Sequence, residues 1–207
     1  MSETAPATKN VPPEVAALYK PLWREVAWLF AKWRTYIRLF GTSEDDLAVL
    51  NRAAGSFVAL IQNVMVGDLI IAISRLTDAK GTGQRTNLSL DALTQAVDAA
   101  VYPSLRAELD RCVSDAHERA AFARDWRNRQ VAHLDLRTAL GTHAEPLSRY
   151  TRAQVQSAIE TIAETLNKVS KHFDGNTTMF SEFIHGHGSA ESLIRHLRRT
   201  SAARGTC

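Results

Sequence analysis

Apolar residues recur along this chain at spacings of three and four, and no stretch alternates with period two for long enough to require a strand. From Pro21, Leu22, Val26, Leu29, Phe30, Trp33, Ile37 and Phe40 form one stripe that Gly41 closes, with Trp23 and Trp28 widening the apolar face. Thr42 or Ser43, followed by Glu44, Asp45 and Asp46, has the form of an N-cap with acids in the first turn. A second, central helix is therefore predicted to about Asp78, with Gly55 and Gly67 as points where it could break. Ser89 opens a shorter helix, and Pro103 opens a fourth segment that could restart near "SDAHE" at Ser114 or Asp115. Thr151 caps a last long helix with the stripe Val155, Ile159, Ile162, Leu166 and Val169, stopped by Gly175. The expected fold is all-α, one bundle of four to five helices.

The expected domain organisation is a polar, Pro-containing tail over residues 1–13, a helical domain over 14–174, and an appendage with a short basic tail over 175–207. A length of 207 residues suits one well-buried domain. With 45% hydrophobic and 23% charged residues, the composition is that of a soluble globular protein. "FVALIQNVMVGDLIIAI", Phe57 to Ile73, approaches the length of a membrane span. Gln62, Asn63 and Asp68 inside it are expensive in lipid, so the reading is a helix buried on most sides, without a membrane partner. The opening "MSETAPATKNVPP" has no basic-then-apolar leader, and Cys112 and Cys207 do not form a disulfide framework, so a cytoplasmic location is expected.

A net charge of +3 is too small to argue nucleic-acid binding from totals; its distribution matters more. Four arginines fall between Arg124 and Arg137, and Arg195, Arg198, Arg199 and Arg204 follow the last acid, Glu191. In "RDWRNRQVAHLD", Arg124 to Asp135, α-helical spacing puts Arg129 and His133 on one face, about 40° apart. Arg127 and Asn128 stand beside them. Guanidinium and imidazole together are what phosphodiester chemistry needs, one to bind phosphate and one, with a pKa near about 6.5, to move protons. The spacing by itself identifies nothing, because Arg111 to His117 and Arg137 to His143 repeat it.

The local context does distinguish the middle copy. "WRNRQVAHLD" resembles the Arg-polar-His signature of the HEPN superfamily, and most closely its AbiU-type abortive-infection branch. "LYKPLWREVAWLFAKWRTYIRLF", "AISRLTD" and "TNLSLDAL" resemble further blocks of that branch in the same order, so that the likeness covers roughly residues 15–170. The resemblance implies a HEPN bundle, commonly a homodimer, that acts as a metal-independent endoribonuclease without a cofactor, in phage defence or as a toxin. Carried over by position, Arg127 would bind the scissile phosphate, Asn128 would orient it, and His133 would move the proton of the ribose 2′-hydroxyl. Arg129 stands where many relatives carry lysine and could share the phosphate. Asp135 stands where toxins regulated by nucleotide transfer carry tyrosine, so that regulation is not carried over.

Plainer readings stand beside these. Arg124 to Asp135 could be a solvated helix with an ion pair from Asp125 to Arg129. Arg75 and Asp78 could line the site behind the residues that touch substrate, or could pair with each other at i,i+3. His185, His187 and His196 read as a polar loop and not as a metal site, since no cysteine or spaced acid completes a ligand set. The alternative function is a non-catalytic HEPN-like module that binds RNA, a nucleotide or a protein partner such as an antitoxin.

Overall fold

The computed structural model describes residues 8–81, 86–131, 136–141, 147–182 and 189–204, and every regular element among them is helical. Helix α1, Pro13–Phe40, begins eight residues before the start expected at Pro21, because Pro12 and Pro13 set its first turn and its stripe already runs through Val15 and Tyr19. Pro21 lies inside the helix. Its missing N–H and ring are tolerated where Tyr19, Leu22, Val26 and Leu29 are almost wholly buried around it.

Helix α2, Glu44–Leu76, is capped by Ser43, whose hydroxyl accepts the Asp46 N–H at 3.0 Å. It bends at Ala54 (φ −163°, ψ 59°), beside Gly55. The other glycine, Gly67, causes no break. Helix α3, Leu90–Ala96, starts at Ser89 as its sequence predicts. Helix α4, Pro103–Arg119, runs straight through "SDAHE"; the chain turns instead at Ala120 (φ −90°, ψ 5°) into α5, Ala121–Trp126. Leu105, Leu109, Val113 and Ala116 form a continuous buried stripe across the expected break, so packing outweighs the capping signal at Ser114 and Asp115. A π-helical turn, Arg127–Val131, and the short α6, Leu136–Ala139, follow.

Helix α7, Arg152–Asp174, carries a full capping box, with Thr151 and Gln154 each satisfying the other's backbone N–H. Gly175 ends it at φ 69°, a conformation that a residue with a Cβ adopts only with strain. The core lies where α1, the C-terminal half of α2, α4 and α7 meet. Leu22, Leu29, Ile73, Leu109, Ile159, Ile162 and Leu166 are fully buried there. Two ion pairs join α1 to α2 on the outside, Lys32 to Asp68 at 2.6 Å and Glu25 to Arg75 at 2.9 Å.

Two features of the structure bear on the reading of the apolar pattern. First, the chain after Gly175, expected as an appendage with a basic tail, packs against the bundle. Phe180 is buried against Trp23 and Phe30, with ring centroids 5.8 and 5.7 Å away. Helix α8, Ala190–Arg204, buries Ile194, rests Leu197 on a small cluster of Phe40, Leu50 and Val58, and pairs Arg198 with Asp46 at 2.6 Å. Asp46 is buried between that arginine and Arg38; Arg38 first, then Arg198, holds its carboxyl below the usual range against the opposing effect of burial.

Second, α2 is not buried on most sides along its apolar run. It is long and apolar enough to cross a membrane, and only 28% of its most apolar window is buried. Leu69, Ile70, Ile73 and Leu76 face the core, whereas Phe57, Leu60 and Val64 are more than half exposed; among the described residues, the end of α1 and Leu197 of α8 pack on the small cluster around Leu50 and Val58.

Leu166→Ala, in the middle of α7, is expected to destabilise the fold by about 2–5 kcal/mol with the urea m-value unchanged. A loss below about 1 kcal/mol in equilibrium unfolding would contradict the core described here.

Candidate active site

The segment singled out in the sequence changes helix type where it matters. Residues Ala121–Trp126 are α-helical, and Arg127, Asn128 and Arg129 stand on the π turn that follows. A π turn bonds i to i+5 and re-aims its side chains, so α-helical spacing does not describe Arg127 to Val131. His133 and Asp135 lie outside the described residues.

Arg127 turns toward the end of α2. Its Nη1 donates to both oxygens of Asp78, at 2.7 and 2.6 Å, and its Nε donates to Asn128 Oδ1 at 3.1 Å. About a quarter of each partner in the Asp78 pair remains exposed, so the pair is reachable from solvent. Arg124, one turn earlier, approaches the same place. Its Nη1 donates to Thr77 Oγ1 at 3.3 Å, and its Nη2 donates to the His117 carbonyl oxygen. Thr77 is fixed in turn by its own hydroxyl, which donates to the Ile73 carbonyl at 2.9 Å. Arg127 thus holds Asp78, while Arg124 is bonded to the neighbouring Thr77 and feels the Asp78 charge without pairing with it.

Arg75 and Asp78 do not pair with each other. Arg75 reaches across to Glu25, which frees Asp78 for Arg127. Arg129 makes the intrahelical ion pair foreseen in the plain-helix reading, Nη1 to Asp125 Oδ1 at 3.2 Å. Asp125 also accepts from the Ser148 hydroxyl at 2.7 Å and the Ser148 N–H at 3.1 Å. Burial opposes ionisation of Asp125, and Ser148 with Arg129 outweighs it, leaving the carboxyl below its ordinary range. Trp126 Nε1 donates to the Ser148 carbonyl at 2.5 Å, so both neighbours of the motif clamp the chain that leads into α7.

Sequence reasoning passed over Arg124, Thr77 and His117. The i,i+3 relation of Arg124 to Arg127 was the available signal; His117 gave none, since it is carried in by the turn at Ala120. Its Nε2 is buried without a hydrogen-bond partner. Burial, then the charge of Arg124, pushes its pKa below the usual value, against smaller opposing effects of Asp91 and Asp78. Among the described residues no three His, Cys, Asp or Glu side chains gather to hold a metal.

Asp78→Ala and Arg127→Ala should be non-additive in unfolding, with a coupling of about 1–2 kcal/mol in a double-mutant cycle; additive losses would rule out the pair. His117 also sets a pH dependence. The native histidine stays neutral where the unfolded chain takes up a proton, so protonation favours unfolding and stability falls as pH drops below about 6.5. His117→Gln should flatten the fall of the urea midpoint below about pH 6.5, and an unchanged slope there would show that another group is responsible.

The chain matches the model of the AbiU2 family, HEPN_AbiU2, over residues 12–193. No curated protein and no solved structure matches it. The matched span takes in all the long helices, the Arg127 turn and the first residues of α8, including Ile194's neighbour Leu193. The all-helical bundle and the ordered sequence blocks agree with that match, and the chain belongs to the AbiU2 family of HEPN proteins.

Proposed function

We propose that this HEPN protein is a metal-independent endoribonuclease. The observation that carries the reading is Arg127 held on the solvent-reachable Asp78, with a second guanidinium, Arg124, bonded to the adjacent Thr77, two arginines beside one carboxylate at the head of the segment that leads to His133. A phosphodiester monoanion complements that charge, and a guanidinium partly committed to a carboxylate is already oriented for it.

In this reading Arg127 binds the scissile phosphate and stabilises the charge that builds on its oxygens. Asn128, already bonded to Arg127 Nε, fixes the guanidinium plane. His133 removes the proton of the ribose 2′-hydroxyl, the 2′-oxygen attacks phosphorus, and the P–O5′ bond breaks. The products are a 2′,3′-cyclic phosphate and a 5′-hydroxyl, with the proton returned to the leaving oxygen. Two protomers bring two such sites together across a homodimer interface, and the biological setting is phage defence or a toxin system. Asp78 sets the resting position of Arg127, while Arg129, held by Asp125, contributes charge at the rim.

One observation favours a second reading. Both Asp78 oxygens engage Arg127, as they would if the arginine had a structural role in a module that binds RNA, a nucleotide or a protein without cleaving.

Single-stranded RNA incubated in EDTA with wild type, Arg127→Ala and His133→Ala separates the two. The nuclease reading expects His133→Ala to lose about 10²–10⁴-fold in rate. Arg127→Ala is expected to lose about 10²–10³-fold. Binding without cleavage, equal rates in the His133 variant, or a requirement for divalent metal would overturn it.

A further inference from the structure

Arg124 and Arg127 are held in opposite ways. Arg124 is fixed at both ends of its guanidinium, with Nη1 donating to the Thr77 hydroxyl at 3.3 Å and Nη2 to the His117 carbonyl, so it ties α5 to the ends of α2 and α4. Thr77 is buried, and its own hydroxyl proton goes to the Ile73 carbonyl at 2.9 Å, which leaves its oxygen to accept from Arg124. Among the described residues Arg124 makes no ion pair, although Asp78 directly follows Thr77. Burial lowers the Arg124 pKa, Asp78 opposes that and Arg127 adds to it, so the three charges act on one another.

Arg127 is held on one side only. Its Nη1 meets Asp78 and its Nε meets the adjacent Asn128, while among the described residues Nη2 meets no acceptor. Arg75 before Asp78 and Arg129 after Arg127 each have a carboxylate of their own, Glu25 and Asp125. A phosphodiester that comes to Arg127 therefore arrives beside a carboxylate, and one guanidinium cannot match two anions. With Arg124 in place, two guanidiniums face Asp78 and one phosphate. Without it, Arg127 could leave Asp78 only by stranding a carboxylate that is three-quarters covered, which is costly.

We propose that Arg124 is a positioning residue of this site: from its fixed place on Thr77 it balances the charge of Asp78, and so lets Arg127 turn from Asp78 to an RNA phosphate. The inference rests on the ribonuclease reading for its substrate and deepens it by naming what frees the phosphate-binding arginine. Arg124 acts through Asp78 and not on the substrate, since both of its terminal nitrogens are engaged by protein oxygens. Its effect on RNA binding therefore depends on the Asp78 charge, which neither a direct phosphate contact nor a purely structural strut would do.

The test measures binding of a single-stranded 2′-O-methyl oligonucleotide, which has no 2′-hydroxyl to attack with, to the full chain by fluorescence anisotropy at low salt. Arg124→Gln should weaken binding about ten-fold on its own and less than about two-fold beside Asp78→Asn, where no carboxylate is left to balance. Arg124→Lys, which keeps the charge and loses the fork, should bind within about three-fold of wild type. Thr77→Val releases Arg124 from its place at little change of volume; it should show the same dependence on Asp78, and it decides the matter if Arg124→Gln does not fold. Equal losses with and without Asp78→Asn, a loss with lysine as large as with glutamine, or no binding by the wild type overturns the role. Cleavage of the matching RNA is read in parallel. The expected binding pattern with no cleavage upholds the role of Arg124 and overturns the nuclease reading, whereas cleavage with additive losses does the reverse.

Discussion

The structure depends on one long apolar seam, the stripe of α1 from Val15 to Trp33 packed against the C-terminal half of α2 and against α7. Burying that seam is what lets α1 carry Pro21 in its interior, and it fixes Ile73 and Leu76 so that the chain leaves the core at Thr77 and Asp78. The site inherits its geometry from that exit. Asp78 stands two residues beyond a helix whose last turn is anchored by the buried Ile73, Ser74 and Leu76, which is why a carboxylate with a quarter of its surface exposed can still hold an arginine from another element in a defined position. Apolar burial sets the position, and electrostatics acts only between groups already placed.

Most of the bundle is readable from local signals because those signals agree with the packing. Ser43, Ser89 and Thr151 cap the helices that they precede, and Gly175 ends α7 in the left-handed conformation that glycine favours. Departures arise where tertiary burial competes with a local cue. Pro21 reads as a start and lies inside α1; Ser114 and Asp115 read as a new cap and lie mid-helix; the turn comes at Ala120, which carries no breaking signal. The region after Gly175 lacks clear periodicity, yet Phe180 and Ile194 find covered places, since one buried side chain per short segment is enough to dock it and too little to make a pattern.

The site was less legible, for a physical reason. Helical periodicity assumes one twist per residue, and the π turn at Arg127–Val131 breaks that assumption where the chemistry lies. Within Arg75 and Asp78, sequence spacing alone suggested an ion pair. The structure sends the two residues to different partners, Glu25 and Arg127, because opposite charges on neighbouring helices are closer than a helix's own i,i+3 neighbour. Arg124 joins the network through contacts that span 47 and 7 residues, to Thr77 and to the His117 carbonyl, and a contact 47 residues away has no local sequence signature.

The bend at Ala54 divides α2 without dividing its anchors: the small cluster of Phe40, Leu50 and Val58 draws on both sides of it, with Leu197 of α8 resting there. The main core takes over farther along, around Leu69, and Phe57, Leu60 and Val64 between the two stay exposed. A non-helical residue interrupts the cooperativity of a helix, and a small cluster resists opening less than a large one. The outer part of α2 and α8 are therefore where the fold opens first, and the seam beside the Arg127 network is where amide protons are best protected.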